Sequence, residues 1–197
     1  SGLVLPQINA DVIDVVAAGA ITQSGALTAG TSSSFSAPGQ NITLDNAGNT
    51  LPQVQFSGKN VHLDSLGTMG IQGTATGTLD ATANGITGGA ILNAAQASFT
   101  AGSGGVSLPG VNQLGTLSVS SGGTTAVEHK GALLIDSIDS AGTFTLNATG
   151  AITSTGALVD VPQLVLSGTS IGTSAQAIQT TAGTADITAS TGGAYLN

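Results

Sequence analysis

The chain has 197 residues, and only 6% of them are charged, where a soluble domain ordinarily carries about 25%. Ten acids stand against two lysines, Lys59 and Lys130, with no arginine, so the net charge of −8 leaves no basic patch for phosphates and argues against nucleic acid and anionic membrane as partners. An apolar content of 40% is too high for disorder, and the absence of cysteine removes disulfides and thiolate metal sites.

In chain order, Ser1 to Ala10 has neither the basic start nor the apolar run of a signal peptide, and no later stretch holds about 18 apolar residues in a row. From there on, short alternating runs follow one another: "SFSA", "NITL", "VQFS", "ASFT", "TFTL", "LVLS" and "ADIT". Alternation of this kind points every second side chain to one side of a strand. The spacers are Gly, Ser, Asn and Asp, which accept turn conformations or cap their own backbone. No long window shows the helical period.

The runs recur at a fixed interval. Apolar anchors fall at Val15, Phe35, Phe56, Leu79, Phe99, Val119, Leu146, Leu166 and Ile187, spaced 20, 21, 23, 20, 20, 27, 20 and 21 residues apart. A second strip follows through Ile21, Ile42, Val61, Ile86, Val106, Ala126, Ile152, Ile171 and Ala194. A third passes through Leu27, Leu51, Ile71, Leu92, Leu114, Leu134, Leu158 and Ile178. The phrase "GAIT" at Gly19 returns 131 positions later at Gly150, which the period explains as the same corner six coils on, with "NGITGGAIL" around Gly85 as an intermediate copy.

A unit of about 20 residues cannot bury its own apolar side, but stacked units can. The expected fold is therefore all-β: a right-handed, single-stranded parallel β-helix of about nine coils of roughly 20 residues, with three short strands in each. On a strand spacing of about 4.8 Å it would be roughly 40 Å long. Phe35, Phe56, Leu79 and Phe99 are expected to form one inward column. A β-sandwich also uses short alternating strands, but its turns do not repeat one residue class every 20 positions. The 27-residue interval predicts that 127–141 protrudes as a loop from a single segment spanning 1–197. Both ends break in mid-pattern, which predicts a natural protein that continues beyond them.

At "GAITSTGALVDVPQLVLSGTSIGT" the sequence resembles the filamentous-haemagglutinin-like exoproteins of bacteria, adhesins exported by two-partner secretion, and related autotransporter passengers. The Gly-Ala-Ile-Thr, Gly-Ala-Leu and Leu-Val-Leu-Ser cadence carries the resemblance; the Asn-Pro-Asn motifs of that family's secretion domain are missing. The resemblance implies a secreted or cell-surface location, a host or neighbouring-cell receptor or glycan as partner, and a structural, adhesive stalk that acts by reach. Open coil ends would also permit end-to-end self-association.

Parallel β-helices include polysaccharide lyases and hydrolases, whose grooves need convergent carboxylates or carboxylate-held calcium. Here Asp80 follows its anchor by one residue while Asp14 and Asp186 precede theirs, so no acid is expected to stack upon another. The nearest approach to a constellation is "VEHK" followed by "LLIDSIDS", which offers Glu128, His129, Lys130, Asp136 and Asp139 as a partner contact on the expected loop. Catalysis by Asp136 or Asp139, and a carbohydrate-binding module using outer loops, are the competing readings. His62 in "NVHLD" is expected on the outer face. The calcium-loop signatures are absent, and no metal or other cofactor is expected. Phe35, Phe56 and Phe99 are expected in the core, since exposing them would be costly.

Overall fold

The computed structural model describes residues 2–197, the side chain of Ala90 excepted. The fold is an all-β parallel solenoid of about 10 turns with roughly 19 residues in each, and no helix occurs among the described residues. One ladder climbs through β1 (Leu3–Leu5), β3 (Ile21–Gln23), β5 (Ile42–Leu44) and β7 (Val61–Asp64), and continues into residues 79–82 of β8 (Thr68–Ser121). A second runs through β2 (Ile8–Val16), β4 (Leu27–Ser36) and β6 (Gln53–Gly58) into residues 70–75 of β8. At 54 residues, β8 is long enough to wind through nearly three turns, and Gly73 and Gly105 take positive φ within it.

Above β8 the two ladders resume. One passes through β9 (Thr125–His129), β11 (Phe144–Ala148), β14 (Gln163–Gly168) and β16 (Thr184–Ala189). The other joins β8 to β10 (Leu133–Ser140), then β12 (Ile152–Ser154) and β13 (Leu158–Asp160), with β15 (Gln179–Thr180) above β13. The alternating pattern drives this arrangement. On β11, Phe144 and Leu146 are fully buried while Thr145 between them is not, and their partners Leu164 and Leu166 on β14 repeat the division one turn on. Each such aliphatic or aromatic side chain taken fully from water contributes about 1.5–3 kcal/mol.

The inward columns differ from the expected single one. Val15, Phe35 and Phe56 do stack in consecutive turns, but the position above Phe56 is Gly73, and Leu79 sits over Val61 on the other ladder. Phe35, Phe56, Leu79 and Phe99 are all buried, yet they do not share one column. The 23-residue step from Phe56 to Leu79 was a change of ladder. Leu146, Leu166 and Ile187 do align, as do Ile21, Ile42 and Val61. Ala126 is exposed rather than inward, and Leu133 takes its place beneath Ile152 and Ile171.

The expected loop at 127–141 is also corrected. Val119 pairs with Ile138, a normal turn of 19 residues, and the remaining steps to Leu146 again change ladder. Residues in that span form β9 and β10, with Val127, Leu133, Ile135 and Ile138 buried.

The phrase Leu/Val-Pro-Gln occurs at Leu5-Pro6-Gln7, Leu51-Pro52-Gln53 and Val161-Pro162-Gln163, each time at the start of a second-ladder strand with the first residue buried. Proline has no N–H to leave unpaired and fixes φ for the bend. Its carbonyl still serves the ladder: Gly70 N–H donates to Pro52 O at 2.9 Å and Gly183 N–H to Pro162 O at 3.1 Å.

Other corners are held by buried amides. Asn49 is wholly buried; its Oδ1 accepts from Leu27 N–H (2.9 Å) and Gln23 Nε2 (2.8 Å), and its Nδ2 donates to Gln23 Oε1 (3.0 Å) and Leu44 O (3.2 Å). A buried amide satisfied this fully fixes the corner; left unpaired, it would cost about 1–3 kcal/mol.

Candidate functional site

The five candidate residues do not form one cluster. Glu128, His129 and Lys130 are on or next to β9, whereas Asp136 and Asp139 are on β10, which belongs to the other ladder. Glu128 is exposed and accepts from Asn147 Nδ2 of the next turn at 2.7 Å. Lys130 is exposed, with its backbone N–H donating to Asn112 O at 2.9 Å.

His129 is not a surface group at all: it is 4% exposed and faces the interior, which removes it as a partner contact. Strand alternation decides this, because Val127 two residues earlier also points inward. Its Nε2 lies 2.9 Å from Leu114 N and 3.0 Å from Leu114 O, and its Nδ1 lies 3.3 Å from Gly131 O, so the protonated ring can donate to both carbonyls while the neutral ring can accept from Leu114 N–H. Beside it, across the register shift that follows Leu108, buried Asn112 donates through Nδ2 to Leu108 O, Gly110 O and Glu128 O at 2.8–3.0 Å. The pair closes a polar corner inside an otherwise apolar stack; the alternation Thr125, Val127, His129 is the one local signal that places the ring inward.

Burial holds the His129 imidazole below its ordinary pKa of 6.5, with the backbone hydrogen bonds to Gly131 and Leu114 opposing that. The folded value is therefore below the unfolded one. As pH falls from 6.5 toward the folded value, the unfolded chain binds a proton that the folded chain does not, so stability is lost across that window and is fully present above it. Denaturant midpoints measured from about pH 7.5 to about pH 5 are expected to fall in the native chain, and His129→Gln is expected to flatten that decline. An unchanged slope in the variant would remove His129 as the cause.

Asp136 lies at the register shift between Ile135 and Ser137 and faces outward. Its carboxylate accepts from Ser118 Oγ of the turn below (3.2 Å) and Thr155 Oγ1 of the turn above (3.0 Å). Asp139 is exposed on the same strand and is the register partner of Asp160, so two acids do stack, contrary to expectation; Thr181 Oγ1 donates to Asp160 at 2.5 Å.

Asp136 belongs to a cleft of about 560 Å³ on the outer side of the first ladder. Residues of five successive turns line it, among them Asp80, Ser98, Ser118, Asp136 and Thr155, 18 to 20 residues apart, over a floor that includes Leu79 and Ala97; Asp136 is the extra residue at the register shift, where Ser118 pairs with Ser137. A shallower stretch, lined by Thr43 and His62, shares Thr78 and Asp80 with it and extends the groove along the axis. There the imidazole of half-exposed His62, outward as expected, lies between two carboxylates, Nδ1 2.9 Å from Asp80 Oδ2 and Nε2 3.4 Å from Asp64 Oδ1. Among the described residues, no three or more His, Asp or Glu side chains are placed to hold a metal ion.

Asp80 and Asp136 are three turns apart, about 14 Å at the strand spacing. Paired-carboxylate hydrolysis needs its acids within about 5–9.5 Å. The groove can therefore hydrogen-bond a long ligand through hydroxyls, amides and single carboxylates, but these two acids cannot act on one glycosidic bond together.

Residues 1–55 match a family described as repeats of unknown function (DUF5649). No curated protein and no solved structure matches the chain. The chain is thus a parallel β-solenoid whose first 55 residues are similar to the DUF5649 repeats of unknown function.

Proposed function

We propose that the chain is a non-enzymatic structural and adhesive stalk segment of a large secreted or cell-surface bacterial protein. The observation that carries this reading is the uninterrupted interior: aliphatic and aromatic side chains belong to one buried cluster from Leu5 to Ile178, so the turns form one continuous body. Stability in such a stack is a sum of contacts between neighbouring turns, which suits a spacer that can be lengthened without redesign. The bacterial surface setting rests on the haemagglutinin-like cadence of "GAITSTGALVDVPQLVLSGTSIGT".

The test is a distance distribution between labels on Val16 and Thr188, which lie near opposite ends of the second ladder. A stalk is expected to give a narrow distribution centred at about 40 Å. A broad or much shorter distribution would contradict a rigid spacer. In parallel, depolymerisation of any member of a panel of acidic and neutral polysaccharides, abolished by Asp136→Asn, would replace this reading with an enzymatic one.

A further inference from the structure

We propose that the groove over the first ladder binds an extended glycan carrying free amino groups, a β-linked hexosamine chain, laid along the solenoid axis. The assignment goes beyond the stalk reading and stands or falls separately from it.

The shape comes first. The groove crosses successive turns about 4.8 Å apart, and each turn contributes one or two polar lining residues. A β-1,4-linked hexosamine chain turns each ring over relative to the last, so like groups return to one side every second ring, an advance close to two turns. An extended peptide presents same-side residues about 6.6 Å apart and drifts out of phase with the turns.

The lining chemistry narrows the ligand further. Ser98, Thr116, Ser118 and Gln96 offer neutral donors and acceptors, while Asp80 and Asp136 accept only. Neither lysine lines the groove, and His62 is the one residue along it that can carry positive charge. A uronate or sulfated chain would meet two carboxylates on a chain of net charge −8. An ammonium group would instead form a charge-assisted hydrogen bond, stronger than a neutral one.

All four phenylalanines are buried, so no phenylalanine is available in the groove to stack on a sugar ring. Affinity must then accumulate unit by unit along the turns rather than from one anchored ring. This makes length dependence the signature of the site.

The experiment is calorimetric titration of the chain with β-1,4-linked glucosamine oligomers of increasing length, beside their N-acetylated counterparts, uronic acid oligomers and oligolysine. Affinity is expected to rise with length and level off once the oligomer spans Asp80 to Asp136, about three turns or 14 Å. Asp80→Asn and Asp136→Asn are each expected to weaken binding about tenfold. Asp186→Asn removes the same charge at an exposed site on β16, outside the groove, and is expected to change nothing. Ser98→Arg, at an exposed position in mid-groove, should abolish binding while leaving the melting curve intact, so the test survives if an aspartate variant folds poorly. No binding of the glucosamine oligomers, binding indifferent to Ser98→Arg, or equal binding of uronic acid oligomers would overturn the assignment. Tighter binding of oligolysine than of the sugar would overturn it in favour of a basic peptide.

Discussion

Phe35→Ala is expected to cost about 3–5 kcal/mol and to melt the first turns of the solenoid ahead of the rest. Phe35 is wholly buried and is held between Val15 in the turn before and Phe56 in the turn after. Truncation removes the ring's transfer energy and leaves a cavity that neighbours on fixed strands cannot collapse to fill. In a compact domain with about 5–15 kcal/mol of total stability such a loss would be felt everywhere. Here turns touch only their neighbours, so the effect should stay local. Hydrogen exchange should show protection lost in β2, β4 and β6 and kept in β11 and β14. Uniform loss across the chain, or a cost below about 1 kcal/mol, would contradict this picture.

The second large effect is expected at Gly73, directly above Phe56. Gly73 has φ +142°, which side-chain-bearing residues rarely adopt, and a Cβ there would collide with the Phe56 carbonyl oxygen. The obstacle is backbone, so no rotamer change relieves it. Gly73→Ala should therefore combine about 1–3 kcal/mol of conformational strain with displacement of the ladder at Phe56. Gly67→Ala is the matched control. Its Cβ would meet nothing within 4 Å, and its φ is not positive, so the change should be neutral or stabilising by less than about 1 kcal/mol. Chemical denaturation of the two variants compares them directly. Equal midpoints would show that the close approach of turns at Gly73 is not as tight as described.

Gly73 also explains what was and was not legible in the sequence. The solenoid itself was readable, because alternation with a period near 20 has few other physical solutions. The columns were harder. Both ladders carry alternating aliphatics, so a series of anchors can slip from one to the other wherever an inward position is glycine. The series Val15, Phe35, Phe56 reached Gly73 and moved on to Leu79, whose neighbour below is Val61. A second slip has no glycine behind it: the step from Val119 to Leu146 passes over Ile138, the true partner of Val119, and makes an apparent loop out of β9 and β10. The Leu/Val-Pro-Gln phrase would have kept the ladders distinct, since it marks entry to the second one.

The groove was less legible still. Its polar lining is single residues 18 to 20 positions apart, with no local motif. In the sequence Asp136 stands out by its proximity to Asp139, yet its hydrogen-bond partners are Ser118 and Thr155 in adjacent turns. His129 reads as a surface group beside Glu128 and Lys130, and only its alternation with buried Val127 on β9 separates it from a solvated histidine.

The most direct test of stacked, interchangeable turns is removal of one of them. Leu146 and Leu166 occupy equivalent positions, so deleting residues 147–166 joins Leu146 to Ser167 in register and brings Leu133 beneath Ile171. The shortened chain is expected to fold cooperatively, with small-angle scattering showing a rod shorter by about 4.8 Å. Deleting only 147–156 breaks the register and should unfold the upper turns. If the whole-turn deletion unfolds the protein as thoroughly as the half-turn one, the turns are not equivalent and the account is wrong.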